Sequence, residues 1–326
     1  MAIEFVFAAR SDVGLLRTNN QDSAYAGPRL LVIADGMGGA AGGDIASSVV
    51  VAHMAPLDDA VGTASTLLQD MTRALQAAHD ELVERSRNDR KQRGLGTTCT
   101  AILRSGNKLA MTHIGDSRAY LLRDGHLTQV THDHSFVQYL LDSGQITPEE
   151  AETHPKRNYI LRVLGDSPGE VEVDETIRQA VPGDRWLLCS DGLSGVVSKE
   201  TLQEVLLKPS TPGDCCDELV ELALLGGGPD NVTCIVADVV DDSTGALEPP
   251  VVVGAAAIDR NAPSKGTGGA AGRAAALAKA DAPIPTEDDE EEAKLPRPRT
   301  WAWALMVLVA FLALTLGGVT AWRWSQ

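Results

Sequence analysis

Two stretches of this chain share one design, an apolar run that ends on Asp-Gly. Leu30-Leu31-Val32-Ile33-Ala34 leads into Asp35-Gly36, and Trp186-Leu187-Leu188-Cys189-Ser190 leads into Asp191-Gly192. Each reads as a buried strand with a carboxylate at its C-terminal end. The glycine lets the backbone turn there, or lets a carbonyl approach a ligand closely. Asp230 stands in Gly226-Gly227-Gly228-Pro229-Asp230-Asn231, just before the apolar run Val232 to Ala237. Asp22 closes Arg17-Thr18-Asn19-Asn20-Gln21-Asp22, and Asp116 lies in His113-Ile114-Gly115-Asp116-Ser117-Arg118. Carboxylates gathered at the ends of neighbouring strands repel one another, and hard divalent cations relieve that repulsion. An all-oxygen set without His or Cys points to Mg²⁺ or Mn²⁺ rather than zinc. Two such ions can activate a water and clamp a phosphoryl oxygen. Asp-Gly is also a common turn dipeptide. Asp124-Gly125, between Leu121-Leu122-Arg123 and His126-Leu127, is read as a hairpin turn and nothing more.

The elements that must position these residues follow from hydrophobic periodicity. Strands are expected near residues 3–10, 21–26, 29–34, 97–104, 108–114, 117–123, 126–130, 170–177, 184–190 and 232–239. Helices fit residues 43–55, 64–87, 134–143, 148–152, 199–207 and 213–225. Strands come in runs and long helices separate the runs, which predicts an α+β domain of packed sheets with helices outside.

Composition divides the chain. Residues 1–240 alternate apolar runs with Gly and Asp turns, as a globular domain does. Residues 241–299 are rich in Ala, Gly, Pro and charge, including Glu287-Asp288-Asp289-Glu290-Glu291-Glu292, and read as a disordered linker that cannot offset its ordering entropy. Residues 300–322 contain no charge, and at ~1.5 Å per residue they cross a ~30 Å hydrocarbon layer as one transmembrane helix. Trp301 and Trp303 at one end and Trp322 and Trp324 at the other match interfacial belts. Lys294, Arg297 and Arg299 precede the span and Arg323 follows it, so the charge bias places the large N-terminal part in the cytoplasm and residues 323–326 outside, on a plasma membrane. Met1 to Arg10 carry no secretory signal. The five cysteines, Cys99, Cys189, Cys215, Cys216 and Cys234, are odd in number and irregular in spacing, and read as buried free thiols of a reducing compartment. A formal charge of −17 argues against a nucleic-acid partner.

Taken together and in order, seven stretches resemble the type 2C (PPM) metal-dependent protein phosphatases. They are Arg17 to Asp22, Ala34-Asp35-Gly36-Met37-Gly38-Gly39, Gly96-Thr97-Thr98, Ile114 to Arg118, Thr131-His132-Asp133-His134-Ser135, Cys189 to Leu193, and Gly228-Pro229-Asp230-Asn231-Val232-Thr233. The linker and apolar terminus are similar to those of membrane-anchored actinobacterial members that partner membrane Ser/Thr kinases. The resemblance implies a four-layer α-β-β-α sandwich of two mainly antiparallel sheets flanked by helices, with two Mn²⁺ or Mg²⁺ ions at one end. It implies that Asp35 bridges the ions and that the Gly36 carbonyl, Asp191 and Asp230 complete the direct ligands. Asp22 would act through water, Asp116 would hold a third ion, and Arg17 would grip the substrate phosphate. A guanidinium fork suits that last role on physical grounds alone.

The implied reaction is hydrolysis of phosphoserine and phosphothreonine in proteins by activated water, without a phosphoenzyme. Met37 stands where many eukaryotic members have His, so the proton for the leaving group comes from water or from another residue, with His132 and His134 as candidates. Gln21 replaces a Glu common in animal members. Residues 134–165 are expected to form a flap beside the site that selects substrates. Two other classes are weighed. A non-catalytic phosphoprotein-docking module of the same fold has no need of the full carboxylate set. A binuclear-metal nuclease needs a basic groove.

Overall fold

The computed structural model describes residues 3–38, 42–241 and 248–258. All of these belong to one compact unit, Met1–Ala274, whereas the unit Ala275–Gln326, with the expected membrane span, lies outside the described residues.

In chain order the strands and helices are β1 (Ile3–Asp12), β2 (Asp22–Ala26), β3 (Leu30–Met37), α1 (Gly43–Met54), α2 (Ala64–Asn88), β4 (Gly96–Thr97), β5 (Cys99–Ser105), β6 (Lys108–Ile114), β7 (Arg118–Arg123), β8 (His126–Gln129), α3 (Phe136–Asp142), α4 (Pro148–Glu152), β9 (Asp174–Gln179), β10 (Arg185–Cys189), α5 (Asp191–Ser194), α6 (Lys199–Leu207), α7 (Pro212–Leu225), β11 (Val232–Asp241) and β12 (Val251–Gly254). They form two antiparallel sheets. One runs β1-β11-β10-β7-β8; the other runs β12-β2-β3-β5-β6-β9, with β4 paired to the end of β3.

Why β3 and β10 lack polar alternation is visible in the packing. Leu31 and Ile33 enter the core between the sheets, while Leu30, Val32 and Ala34 face the core under α1 and α2. Trp186 and Leu188 likewise enter the inter-sheet core, and Leu187 and Cys189 face α6 and α7. Side chains alternate along a strand, so a strand covered on both faces is apolar throughout. On α2, Leu67, Met71, Leu75, Ala78 and Leu82 recur at helical spacing along the buried face, and Thr63 caps the helix by accepting the Thr66 N–H.

Two expectations are corrected. The expected strand at 170–177 is found at Asp174–Gln179, an exposed edge strand that pairs only with β6. Residues 251–258, expected to be linker, fold onto the domain: Val251-Val252-Val253 adds an edge to β2. That β-branched run outweighs the Ala- and Gly-rich composition around it. Asp124 and Gly125 both have positive φ in the two-residue turn between β7 and β8, the hairpin expected there.

Trp186 is fully buried in the inter-sheet core, and its indole N–H has no hydrogen-bond partner. Trp186→Ala should therefore cost about 3–5 kcal/mol in chemical denaturation. Trp186→Phe, which keeps the ring and removes the unpaired donor, should cost less than half as much. Equal losses would show that the indole N–H is satisfied after all.

Candidate active site

Backbone pairing brings the predicted aspartates to one end of the sandwich. Asp22 at the start of β2 stands opposite Asp35 near the end of β3 in the same ladder. Asp191 follows the end of β10 and Asp230 precedes β11, its neighbour in the other sheet. Asp116 sits in the turn from β6 to β7, where the chain passes from one sheet to the other.

The Asp-Gly glycines have a reason that differs from a turn. Neither Gly36 nor Gly192 adopts a positive φ. A Cβ on Gly36 would lie 1.9 Å from the Gly43 carbonyl oxygen at the start of α1, and one on Gly192 would lie 2.0 Å from that of Asn231. The glycines let two backbones touch where the carboxylates gather. The Gly36 carbonyl itself faces Gly43, whose added Cβ would come within 2.6 Å of it.

The carboxylates act strongly on one another. Burial pushes Asp22 up to about 7, helped by the charges of Asp191 and Asp230 and opposed by hydrogen bonds from Thr233 and Ser190. Asp35 is raised well above the carboxylate range, by burial first and then by Asp22, Asp191, Asp116 and Asp230. Asp116 rises to about 8 for the same first reason, with Asp191 and Asp133 next. Asp191 is raised by burial and by Asp230, and is eased by a hydrogen bond with Asp35. Such crowding of like charges is relieved by protons or by cations.

Arg17 reaches Asp230, Nη2 to Oδ2, at 2.6 Å, with its side chain about half exposed (49%). Ser190 Oγ donates to Asp22 Oδ2 at 2.8 Å. Among the described residues no three His, Cys, Asp or Glu side chains converge on one point as a closed ligand set. The donor set nevertheless fits hard cations. It is all oxygen, its charges destabilise one another, and the buried Oδ1 of Asp116 has no hydrogen-bond partner.

Residues 17–212 match the family described as protein phosphatase 2C. The chain belongs to the protein phosphatase 2C family. It is 46% identical over 253 residues to the serine/threonine protein phosphatase PstP of Mycobacterium tuberculosis, covering 78% of this chain and 48% of that one. It thus spans about half the length of that relative. The serine/threonine phosphatase stp of Listeria monocytogenes is 34% identical over 237 residues, 70% of this chain and 94% of its own. A crystal structure of the PstP catalytic domain in complex with two manganese ions superposes with a TM-score of 0.68 at 52% identity, over 73% of this chain and all of that one.

Within this 2C phosphatase domain several residues that organise the site had no role assigned from sequence. Asn231 accepts the Gln21 N–H and donates to the Val13 and Asn19 carbonyls, so it ties the Arg17 loop to the Asp230 segment. Thr98 Oγ1 accepts the Asp35 N–H, and its N–H donates to the Asp35 carbonyl, which Thr97 Oγ1 also reaches. Thr98 and Ser117 bond through their hydroxyls at 2.8 Å, linking the Asp35 and Asp116 segments. Asn231 and Ser117 directly follow Asp230 and Asp116 in the chain, whereas nothing in the sequence beside Thr97 and Thr98 marks them as supports of Asp35.

The two histidines proposed as acids have other employment. His132 pairs with Asp142 on the surface, whereas buried His134 accepts the Gly115 N–H through Nδ1. The flap segment holds α3 and α4, closed at its ends by the Ser135–Ile160 and Thr97–Leu164 bridges.

His113 lies behind these segments, bonded to Thr100 Oγ1 and the His132 carbonyl, with its ring 4.9 Å from that of His134. Burial, and then His134, lowers it from 6.5 to about 4. It is neutral when folded, while the unfolded chain takes up a proton below 6.5. Its contribution is therefore present above pH 6.5 and lost as pH falls toward 4, up to about 3 kcal/mol. Between pH ~7 and ~5 in urea unfolding, the wild type should lose stability relative to His113→Gln, since the opposite trend of the raised aspartates is common to both; parallel profiles would assign the acid sensitivity elsewhere.

Proposed function

We propose that this chain is a protein serine/threonine phosphatase that hydrolyses phosphoserine and phosphothreonine with bound Mn²⁺ or Mg²⁺. The observation that carries the reading is the gathering of five aspartates at one end of the sandwich, four of them raised by burial and neighbouring charge, with an arginine beside them. Asp35, the Gly36 carbonyl, Asp191 and Asp230 would hold two ions, with Asp22 acting through water and Asp116 available to a third. When bound, the ions supply positive charge for the phosphoryl oxygens and an acidified water as nucleophile.

The chain's own residues do the rest. Among the described residues Arg17 bonds Asp230 through Nη2 alone, which leaves other N–H groups of the guanidinium to donate to phosphate oxygens. That grip orients the phosphoryl group and neutralises charge that grows in the transition state. No side chain serves as a covalent nucleophile. Cys189, next to the site, is buried and its thiol is pushed up to about 12, so the reactive thiolate is not formed. With His134 committed to Gly115 and His132 to Asp142, the proton for the departing hydroxyl comes from water.

The test is hydrolysis of a phosphothreonine peptide with Mn²⁺, with Mg²⁺ and with chelator. Turnover should require the cation and vanish in Asp35→Asn. Arg17→Ala should keep cation binding and lower kcat/KM about 10²-fold, as loss of a charge-stabilising donor does. A folded chain that binds Mn²⁺ without turnover would instead be a phosphoprotein-docking module.

We infer in addition that residues 300–322 anchor the chain in a plasma membrane with the phosphatase domain on the cytoplasmic side. Their uncharged, tryptophan-flanked composition supports this. Phosphorylated membrane kinases are then favoured substrates, because a shared membrane raises local concentration. Full-length chain should sediment with membranes and resist carbonate extraction, while a chain ending at residue 299 should be released; equal partition of the two would remove the anchor.

A further inference from the structure

The strand β12 ends one residue short of a ligand candidate. Its register on β2 is Val251↔Ala26, Val252↔Tyr25, Val253↔Ala24 and Gly254↔Ser23, and Ser23 follows Asp22. Gly254 takes φ 76° there, and a Cβ on it would stand 2.2 Å from the Asp22 carbonyl oxygen. Only glycine combines that φ with that approach. Beyond it the chain turns over α1, with Ala255 buried and Ala256 packed against the core beneath the helices. Val253 packs on the inter-sheet core. Residues 251–258 are thus a strap fixed at three places, and they lie beyond the 17–212 match to the family.

A line of buried hydroxyls runs from this strap to the site. The Ala256 N–H donates to Ser23 Oγ at 3.1 Å. Ser23 Oγ and Ser47 Oγ on α1 are 2.8 Å apart, and Ser47 Oγ donates to the Gln21 carbonyl at 2.6 Å. Both serines have no solvent exposure. The direction of the line is determined. A carbonyl has no proton, so the Ser47 hydrogen goes to Gln21, and the hydrogen between the serines belongs to Ser23. Each hydroxyl donates once and accepts once. The Gln21 carbonyl also accepts the Gly36 N–H at 3.1 Å, next to Asp35. The two peptide groups on either side of the Asp22 Cα are therefore both held. Ser47 and Gly36 hold the one before it, and Gly254 presses on the one after it.

We propose that residues 251–258 are a positioning element of the metal centre. Through Gly254, Ser23 and Ser47 the strap fixes Asp22 and the Gln21–Gly36 contact, and so sets the affinity for divalent cations. The proposal rests on Asp22 and Asp35 serving as cation-holding residues. Removing supports behind ligands typically weakens binding about 10- to 100-fold.

The experiment is calorimetric titration of Mn²⁺ into the full-length chain, wild type beside Ser47→Ala, Gly254→Val and the double variant, with thermal unfolding in chelator to establish that each is folded. Each single variant should weaken Mn²⁺ binding at least tenfold, and the double variant at least as much as either alone. Unchanged affinity in folded single variants overturns the proposal. Ser47→Ala removes one oxygen atom and keeps the test decisive should Gly254→Val fail to fold. A wild-type chain that binds no Mn²⁺ removes the ligand reading itself, and this proposal with it, which separates the two failures.

Discussion

The structure depends on holding like charges together. Asp22, Asp35, Asp116 and Asp191 are driven up by burial and by the charges around them, Asp230 among those charges, and none would gather there from side-chain preference. Backbone pairing forces the arrangement. Asp22 and Asp35 are opposed because the β2–β3 ladder puts them in register, and Asp191 and Asp230 are neighbours because β10 and β11 are. Apolar burial in three cores supplies the stability that this crowding consumes. The same repulsion makes the site receptive to cations, so the cost to folding and the capacity for function have one source.

Rigid cores alone leave the loops that carry the chemistry free to spread, and a second set of contacts prevents it. Asn231 spends its side chain on three backbone groups across the Arg17 loop. Thr97 and Thr98 hold the Asp35 peptide from the neighbouring β4–β5 segment, and Ser190 holds Asp22 while accepting the Thr233 N–H. These are bonds between short side chains and main chain, which lose little rotamer freedom on folding. They restrict where the backbone that carries the carboxylates can stand, the kind of support a ligand site needs.

Much of this was legible in the sequence, and the reason is specific. Strands buried on both faces are continuous apolar runs, so β3 and β10 stand out, and the aspartates that end them stand out with them. The helix α2 declares itself by period. β9 was misplaced because Asp-Glu-Thr-Ile-Arg-Gln is exposed along nearly its whole length, so its position comes from pairing with β6 and not from its own side chains. β12 was missed because three valines are too short a signal against an Ala- and Gly-rich neighbourhood, and its partner lies more than two hundred residues earlier in the chain. Asn231 and Ser190 were visible as residues but not as supports, since a hydrogen bond to a distant main-chain group has no local pattern.

The errors and the successes divide along one physical line. Side-chain burial leaves a trace in local composition, whereas main-chain pairing and side-chain-to-main-chain bonds do not, because every residue carries the same N–H and C=O. The carboxylates are therefore found by reading, and the scaffold that aligns them is found only in three dimensions. The strap at 251–258 belongs wholly to the second kind. Its hold on Asp22 runs through one glycine that needs no side chain and through two serines that the chain spends elsewhere as ordinary strand and helix residues. A site whose ligands come from one class of signal and whose alignment comes from the other can change its alignment without changing any ligand.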